Sequence, residues 1–361
     1  MAWFVKGTEV LTSDGWKLVT SIGEKTSILV ADPVTRKMKY DKCESGLYMD
    51  GSFRVSRMES SHMSLVMLDK SFLYTARRND DGSMTPLTSE SLWNVKKSHK
   101  LPLAGFKWED YRYESPFVLP SVEQLEQYTR KPVTVPPRII PIKKWLEFFG
   151  FWLADGCILE GFNTQGNRKY SVSVKQSEER EEKVVSLFKG IGFEPKKYDG
   201  SRPEHKNFNV YSKQLWTYLR QFGTSSERFI PREFMNLPKS MLLYLWRGYV
   251  FGNSSKSKNG QIQLSTVSHQ LADDLQELIL KIFGRVVQVR KQTKKYSYKE
   301  GTHTLYVINM TPDKGRDDYA GFNRSPVTFE EYNGRVYNIY VPDGGVILIR
   351  QNGKIMWVGG N

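Results

Sequence analysis

Trp145-Leu146-Glu147-Phe148-Phe149-Gly150-Phe151-Trp152-Leu153-Ala154-Asp155-Gly156 decides how the rest of this chain is read. The stretch is apolar almost throughout and ends on one acid. It is too short to cross a bilayer. It therefore predicts a buried helix whose last turn delivers a carboxylate. Gly150 falls mid-helix, where a side chain would be more stable by about 1 kcal/mol. The usual reason for such a glycine is close approach of another helix. Taken alone, the stretch is better explained as an ordinary core helix that ends in Asp-Gly.

A second copy shifts that balance. Met241-Leu242-Leu243-Tyr244-Leu245-Trp246-Arg247-Gly248-Tyr249-Val250-Phe251-Gly252-Asn253-Ser254 is also an apolar helix with a glycine in its middle. With Gly248 set under Gly150, Gly252-Asn253-Ser254 falls under Ala154-Asp155-Gly156. The segments after the two copies are also alike. Tyr170 to Ser177 alternates like a half-solvated strand, and Glu178 to Gly190 is an amphipathic helix. Gln261 to Thr266 alternates in turn, and Ser268 caps a helix from His269 to Phe283. The middle of the chain is an internal duplication of helix, strands and helix.

This duplication resembles the LAGLIDADG homing endonucleases in their two-repeat, single-chain form. The resemblance covers about half the chain. It implies that the two helices pack along their glycines and bring their terminal acids to the base of a saddle of strands lying on DNA. By motif position the acids fall at Asp155 and Asn253. The first matches the family; the second is an amide where the family has a carboxylate. Ser254 likewise replaces the usual glycine.

The chain has 361 residues and a formal charge of +14, enough for two or three modest domains and a balance that suits a polyanionic partner. A merely basic surface would give the same number. Its two cysteines, Cys43 and Cys157, offer neither a disulfide framework nor a zinc pattern, which fits a reducing compartment. The first residues lack a signal-peptide core, and no apolar run suits a membrane helix. These features lead to the expectation of a cytoplasmic protein with no membrane partner, acting at the nucleoid of a bacterial or phage-infected cell.

Residues Trp3 to about Ser89 read as all-β. Short strands such as Leu18-Val19, Ser27 to Ala31 and Leu65 to Leu68 alternate with turns at Ser13-Asp14-Gly15, Asp32-Pro33, Asp50-Gly51 and Asp81-Gly82. Phe4-Val5-Lys6-Gly7-Thr8-Glu9-Val10-Leu11-Thr12 resembles the opening block of inteins and related Hint domains. That resemblance implies a nucleophile at Trp3 and a Thr-x-x-His at Leu68 to Ser71; neither set is present. At the other end, Gly334 to Pro342 and Val346 to Lys354 read as two strands around an Asp343-Gly344-Gly345 turn. They resemble an intein's closing blocks, yet Trp357-Val358-Gly359-Gly360-Asn361 lacks either the terminal Asn and nucleophile or the assisting His, depending on alignment. The expectation is a free-standing descendant of an intein with its Hint part kept as scaffold. Between these parts, Lys131 to Pro141 is too proline-rich for a helix interior and reads as an extended lead. Gly315 to Ser325 reads as the return loop.

The expected fold is therefore α+β: an all-β Hint-like domain built from residues 1–135 and 323–361, and a pseudo-twofold αββαββα-type LAGLIDADG domain over 136–322. Its repeats span about 142–222 and 238–312.

Phosphodiester hydrolysis calls for a metal to activate water and neutralise the leaving oxygen, and hard oxygen donors suit Mg²⁺. The resemblance implies metal ligands at Asp155, Asn253, Ala154 and Gly252. Asp155 and Asn253 are then the catalytic pair, with Gln176 ordering water and Lys291 or Lys294 as the basic residue. An amide at Asn253 implies reduced cutting, one-strand nicking or none. Lys175 neighbours Gln176 on the opposite strand face; a solvated strand lysine would look the same. Contacts to double-stranded DNA are expected from Arg168, Lys169, Ser171, Ser173 and Lys175, from Lys197, Arg202 and Asn209, and from Gln261 and Gln263. The most persuasive stretch is Gln288-x-Arg290-x-Gln292-x-Lys294, where every second residue is Gln, Arg or Lys. Arg and Gln read guanine and adenine edges in the major groove, although a charged edge strand has a similar pattern. The run from Lys291 to Lys299 favours phosphate contact and a salt-sensitive affinity. The reading is a site-specific DNA homing endonuclease acting as a monomer. The alternatives are a DNA-binding protein without cleavage and a splicing intein.

Overall fold

The computed structural model describes residues 2–59, 63–126, 131–162, 164, 166–200, 204–256, 260–295, 300–310, 319–321, 327–341 and 345–359. Arg202, the Asp343-Gly344 turn, the Gly360-Asn361 end and most of 315–325 lie outside them. The molecule is α+β. No helix among the described residues is long and apolar enough to cross a membrane.

Strands from the two chain ends interleave. Ala2–Val5 pairs antiparallel with Thr328–Tyr340, placing Ala2 opposite Ile339. Thr328–Tyr340 runs along Glu44–Glu59, which pairs with Ser64–Leu68. The circuit closes where Phe4 meets Met67, giving a four-stranded barrel. A seven-stranded sheet likewise inserts Val346–Gln351 between Glu9–Thr12 and Lys354–Gly359. A third sheet joins Tyr319–Gly321 to His99–Pro102.

Three local expectations do not hold. Asp50-Gly51 is not a turn but the middle of the 16-residue strand Glu44–Glu59. Gly51 faces Gly334 across the ribbon, and Arg335 donates to both Asp50 carboxylate oxygens at 2.8 and 2.7 Å, bracing the strand at that point. Val346 to Lys354 is not one strand flanking a hairpin with Gly334 to Pro342. It breaks at Asn352-Gly353, whose φ angles of 50° and 75° are those of a two-residue hairpin turn, and returns as Lys354–Gly359. Val19 starts a short 3₁₀ turn after the strand Gly15–Leu18. The proline-rich lead is extended as expected, folded into two small antiparallel pairs with residues 117–125.

The central region begins with helix α1 (Ile142–Asp155), entered from Pro141. It runs without a loop into strand β1 (Gly156–Phe162), followed by β2 (Arg168–Ser177) and helix α2 (Glu181–Gly190). Strands β3 (Lys196–Asp199) and β4 (His205–Tyr211) complete a four-stranded sheet of order β1-β2-β4-β3. Helix α3 (Lys213–Arg220) and the short α4 (Arg232–Met235) lead to α5 (Lys239–Gly252). Then come β5 (Ser255–Lys256), β6 (Ile262–Thr266), helix α6 (His269–Phe283), β7 (Val289–Lys295) and β8 (Thr302–Met310). The second sheet has the matching order β5-β6-β8-β7. Ser268 caps α6 by accepting from the Leu271 amide at 3.1 Å, and Gly284 ends it in the left-handed conformation at φ 63°.

Trp145, Phe148, Phe149, Phe151 and Trp152 of α1 are all buried, and one apolar core runs from them through α5 and α6. α1 and α5 touch backbone to backbone. A methyl built on Gly150 would collide with the Leu245 carbonyl oxygen, and one on Gly248 with the Glu147 carbonyl oxygen. Those two contacts explain the mid-helix glycines and set the helix ends side by side.

Candidate nucleic-acid site at the paired helix ends

Because α1 and α5 cross at their glycines, their C-terminal turns arrive together. Gly252 lies so close to the Ala154 methyl that a side chain there would overlap it. The residue after each of these is the one singled out by the duplication: Asp155 and Asn253.

Asp155 sits at the carbonyl end of α1, where the helix dipole disfavours a negative charge. Burial pushes its carboxyl up to about 6. Three groups oppose that rise: the Gln176 amide, which donates to Oδ2, and the charges of Arg180 and Arg228. Gln176 is 7% exposed and lies on the helix-facing side of β2 with Val172 and Val174. The structure thus brings Gln176 to Asp155. Lys175 is exposed on the other face.

Asn253 is turned differently. Its Nδ2 donates to the Ser265 carbonyl oxygen on β6 at 2.6 Å, which ties the end of α5 to the second sheet. Tyr249, one turn earlier, is buried beneath the two helix ends. Burial raises its pKa, with the charges of Arg228 and Asp155 acting in opposite senses.

Two arginines that the sequence patterns did not single out complete the site. Arg228, in the segment between α3 and α4, is 6% exposed. Its guanidinium donates to the carbonyls of Leu153 at 2.7 Å, Trp152 at 3.2 Å and Gly156, and stacks over the Trp152 ring at 4.7 Å. It adds donors to the carbonyls of the last helical turn and neutralises the dipole there. Arg180, just before α2, donates to the Phe251 carbonyl oxygen of α5 at 2.8 Å and to Gln176 Oε1 at 3.4 Å. It bridges the two halves. Neither residue has periodicity or a motif to mark it; only the fold places a loop arginine on a helix end.

No group of three or more His, Cys, Asp or Glu suited to a metal exists among the described residues. The four expected ligand positions offer one carboxylate at Asp155, an amide oxygen at Asn253 and backbone carbonyls at Ala154 and Gly252. These are hard donors of the kind that hold Mg²⁺ or Ca²⁺. One carboxylate with neutral oxygens is a donor set of the kind that suits one hard cation. It lacks the second carboxylate that a pair of ions requires.

The strand registers place the remaining residues. On the first sheet Lys169, Ser171, Ser173 and Lys175 share the face away from the helices with Asn209, Tyr211 and Lys196. Lys197 is on the opposite face, its ammonium 2.8 Å from Glu181 of α2. Arg168 also falls on that side, 3.3 Å from Glu160. On the second sheet Arg290, Gln292 and Lys294 share one face with Gln263 and Asn309; Gln263 donates to Asn309 at 3.0 Å. Gln261 immediately precedes β6. One expected member of this strand pattern, Gln288, and the expected basic residue, Lys291, stand elsewhere. Gln288 precedes the strand and exchanges hydrogen bonds with the Ile355 backbone at 3.1 and 3.3 Å, docking it on the terminal β part. Lys291 lies on the helix-side face, over the Tyr306 ring at 5.9 Å.

Residues 240–314 match the model of the LAGLIDADG-like domain. Among curated proteins, the chain is 23% identical to the ATP-dependent Clp protease proteolytic subunit of Chlamydomonas moewusii, over 75% of this chain and 27% of that protein. It is also 23% identical to the DNA-directed RNA polymerase subunit beta C-terminal section of Stigeoclonium helveticum, over 97% of this chain and 36% of that protein. The chain spans about a third or less of the length of these relatives. Similar solved structures include mesophilic variants of the homing endonuclease I-DmoI (TM-score 0.34, 13% identity, 46% of this chain and 88% of that one). I-DmoI in complex with DNA and Mn gives 0.34 and 13%, over 46% and 89%. The LAGLIDADG meganuclease I-AabMI bound to uncleaved DNA gives 0.30 and 11%, over 47% and 78%.

Proposed function

We propose that this chain is a site-specific double-stranded DNA endonuclease of the LAGLIDADG type, acting as a monomer, whose paired helix ends form a lopsided site. One arm carries Asp155 and the other carries Asn253. The observation that supports this most is the glycine-to-carbonyl packing of α1 on α5, because it sets those two residues at one point between two four-stranded sheets. A bound Mg²⁺ would supply activation of water and charge neutralisation there, held by Asp155, the Asn253 amide and the carbonyls of Ala154 and Gly252. Gln176 holds one Asp155 oxygen, and Arg180 and Arg228 hold its charge. With one carboxylate instead of two, nicking of one strand is the expected reaction.

The terminal β part fits a Hint-like domain that no longer splices. Its position for a nucleophile is Trp3, whose backbone N–H donates to Ser71 Oγ at 3.3 Å; no thiol or imidazole stands at Trp3, Leu68 or Ser71. The two curated relatives share no activity by name, yet each contains a stretch like this one. One chain that resembles parts of two such different proteins is best understood as an insertable module.

A second reading, DNA binding without cleavage, is favoured by Asn253, whose amide is already engaged by the Ser265 carbonyl. Both readings are separated by one experiment. The protein is incubated with a plasmid library of randomised long targets and Mg²⁺, alongside Asp155→Asn and Asn253→Asp. Nicked circles from the wild type, none from Asp155→Asn and linear product from Asn253→Asp support the endonuclease. DNA retained by all three with no broken strand removes the endonuclease and leaves the binding protein. No retention of DNA removes both.

A further inference from the structure

The geometry points to a second binding site, an aromatic cleft that takes a small quaternary ammonium ion. It lies where the extended lead crosses α1, α3 and α4, and Ile142, the first residue of α1, is in its wall. Asp155 is the last residue of that helix, about 20 Å away along its axis. The cleft is therefore separate from the paired helix ends, and this inference does not rest on the nuclease reading.

The cleft has a volume of about 340 Å³, at the small end for ligand sites. Four of its lining residues are aromatic: Tyr113 and Phe117 from the lead, Tyr218 of α3 and Phe234 of α4. Phe117 lies flat on Trp145, with centroids 3.9 Å apart and planes 7° apart, so one of its faces is already covered. Tyr218 and Phe234 stand across Phe117 at 5.1 and 6.0 Å, their planes inclined to it by 73° and 69°. Glu233 of α4 is the only charged residue in the lining; no lysine or arginine joins it. Its side chain is exposed and has no hydrogen bond or ion pair among the described residues. Burial raises the Tyr218 pKa, and the charge of Glu233 acts in the same direction, as a carboxylate near a phenol does. The stretch running into Tyr113 adds Glu109, Asp110 and Glu114 against one cation, Arg112, which Glu114 already holds at 2.6 Å. In a chain of net charge +14, this is an acidic corner.

Rings set nearly at right angles bound a rounded space, which a flat ligand does not fill by stacking. A quaternary ammonium head is rounded. Its charge is drawn to ring faces, and aromatic cages are the recurring protein solution for it. Its methyl groups meet apolar walls without requiring hydrogen bonds, and the exposed Glu233 carboxylate completes the attraction from the side. A primary ammonium is a compact, strongly hydrated charge, and it loses more on entering a lining of this kind. An anion, a phosphate included, meets only repulsion from Glu233.

The test titrates the full chain with choline and tetramethylammonium by calorimetry at constant ionic strength. Two comparison ligands separate charge from shape: 3,3-dimethylbutan-1-ol, which is choline with carbon in place of the charged nitrogen, and ethylammonium. Both quaternary ions should bind saturably at one site. The neutral alcohol and ethylammonium should bind about 10-fold more weakly or not at all. Glu233→Gln and Tyr113→Leu, at the exposed and half-buried edge of the cleft, should each weaken choline by about 3- to 10-fold. Their melting temperatures without ligand confirm that both variants fold, and choline should raise the melting temperature of the wild type more than that of either variant. No saturable binding of either quaternary ion overturns the inference. Equal binding of the neutral alcohol overturns it too, since the cleft is then merely apolar, as does equal binding of ethylammonium. Choline binding that neither variant weakens puts the ion elsewhere and also overturns it. None of these outcomes bears on the proposed endonuclease, whose own test is the nicking of DNA.

Discussion

A carboxylate at the carbonyl end of a buried helix works against the fold, and Asp155 is such a carboxylate. Burial lifts its pKa to about 6, above the usual carboxylate range, despite Gln176, Arg180 and Arg228. The folded state therefore holds the proton more tightly than the unfolded chain does. The stability associated with this group is full below pH ~4 and is lost as pH rises through about 6. Asp155→Asn should therefore raise stability at pH 8, by on the order of 1–3 kcal/mol in chelator, with the gain vanishing near pH 4. Thermal melts of both proteins at the two pH values measure it; an equal difference at both removes Asp155 as the source. Gln176→Ala should lower nicking by about 10- to 100-fold, as loss of a group that orients a ligand does, and raise the pH at which nicking sets in. At this scale the duplication drew attention to Asp155 and Asn253, and the family resemblance to Gln176. Neither showed Arg228 or Arg180. Their roles come from where a loop and a helix start meet another element's end, which no local pattern encodes.

The helix pair is the element that makes a site out of two separate residues. Gly150 and Gly248 each face a carbonyl oxygen of the other helix. Alanine in either place gains about 1 kcal/mol of helix propensity but forces the backbones apart, and overpacking typically costs about 1–3 kcal/mol. Since the obstacle is backbone, which cannot rotate away, Gly150→Ala should be net destabilising. Nicking should fall further than the stability loss explains, because the tips carrying Asp155 and Asn253 separate. Gly161→Ala is the control: nothing lies within 4 Å of the added methyl, so both quantities should stay put. Denaturant midpoints and nicking rates on one target decide it. A Gly150→Ala protein as stable and active as the wild type would show that the helices do not need their close approach. Elements were legible wherever period and caps agreed, as in α6 with Ser268 before it. Strand faces were less so. In Lys196-Lys197 two adjacent lysines take opposite faces, and only the pairing of Lys196 with Asn209 tells them apart. Gln288 continued a perfect alternation and yet serves the neighbouring sheet.

At the scale of the whole molecule, a layer of ions lies between α6 and the β part built from both chain ends, beside an apolar core shared by the two. Asp273, Glu277 and Lys281 recur every fourth residue along α6 and are 8%, 2% and 0% exposed. Arg350 of the strand Val346–Gln351 donates to Asp273 at 2.5 Å and to both Glu9 oxygens at 2.6 and 2.7 Å, over the Trp16 ring. Burial alone would lower the Arg350 pKa; Glu9 and Asp273 hold it above its ordinary value. Glu277 is fixed by Arg232 at 2.7 Å and by Lys281 at 2.7 Å, and Tyr40 donates to it at 2.6 Å. An amphipathic helix at this place would ordinarily turn such a stripe to water; here a second body covers it. Arg350→Met leaves Asp273 buried and the half-buried Glu9 beside it with no arginine between them, a change that costs about 3–5 kcal/mol. Replacing all three together, with Glu9→Gln and Asp273→Asn, should recover most of that loss, since no lone charge is then left buried. The wild type should unfold in one transition, with far-UV ellipticity and tryptophan fluorescence changing together. Arg350→Met should split it, because the interface carries the coupling between the two bodies. If calorimetry of Arg350→Met shows a single transition at the wild-type temperature, the ions merely fill space between parts that apolar contact already locks. The β part would then be joined to the helices by packing, as Gln288 on Ile355 and Gly284 against the Phe106 backbone already join them in part.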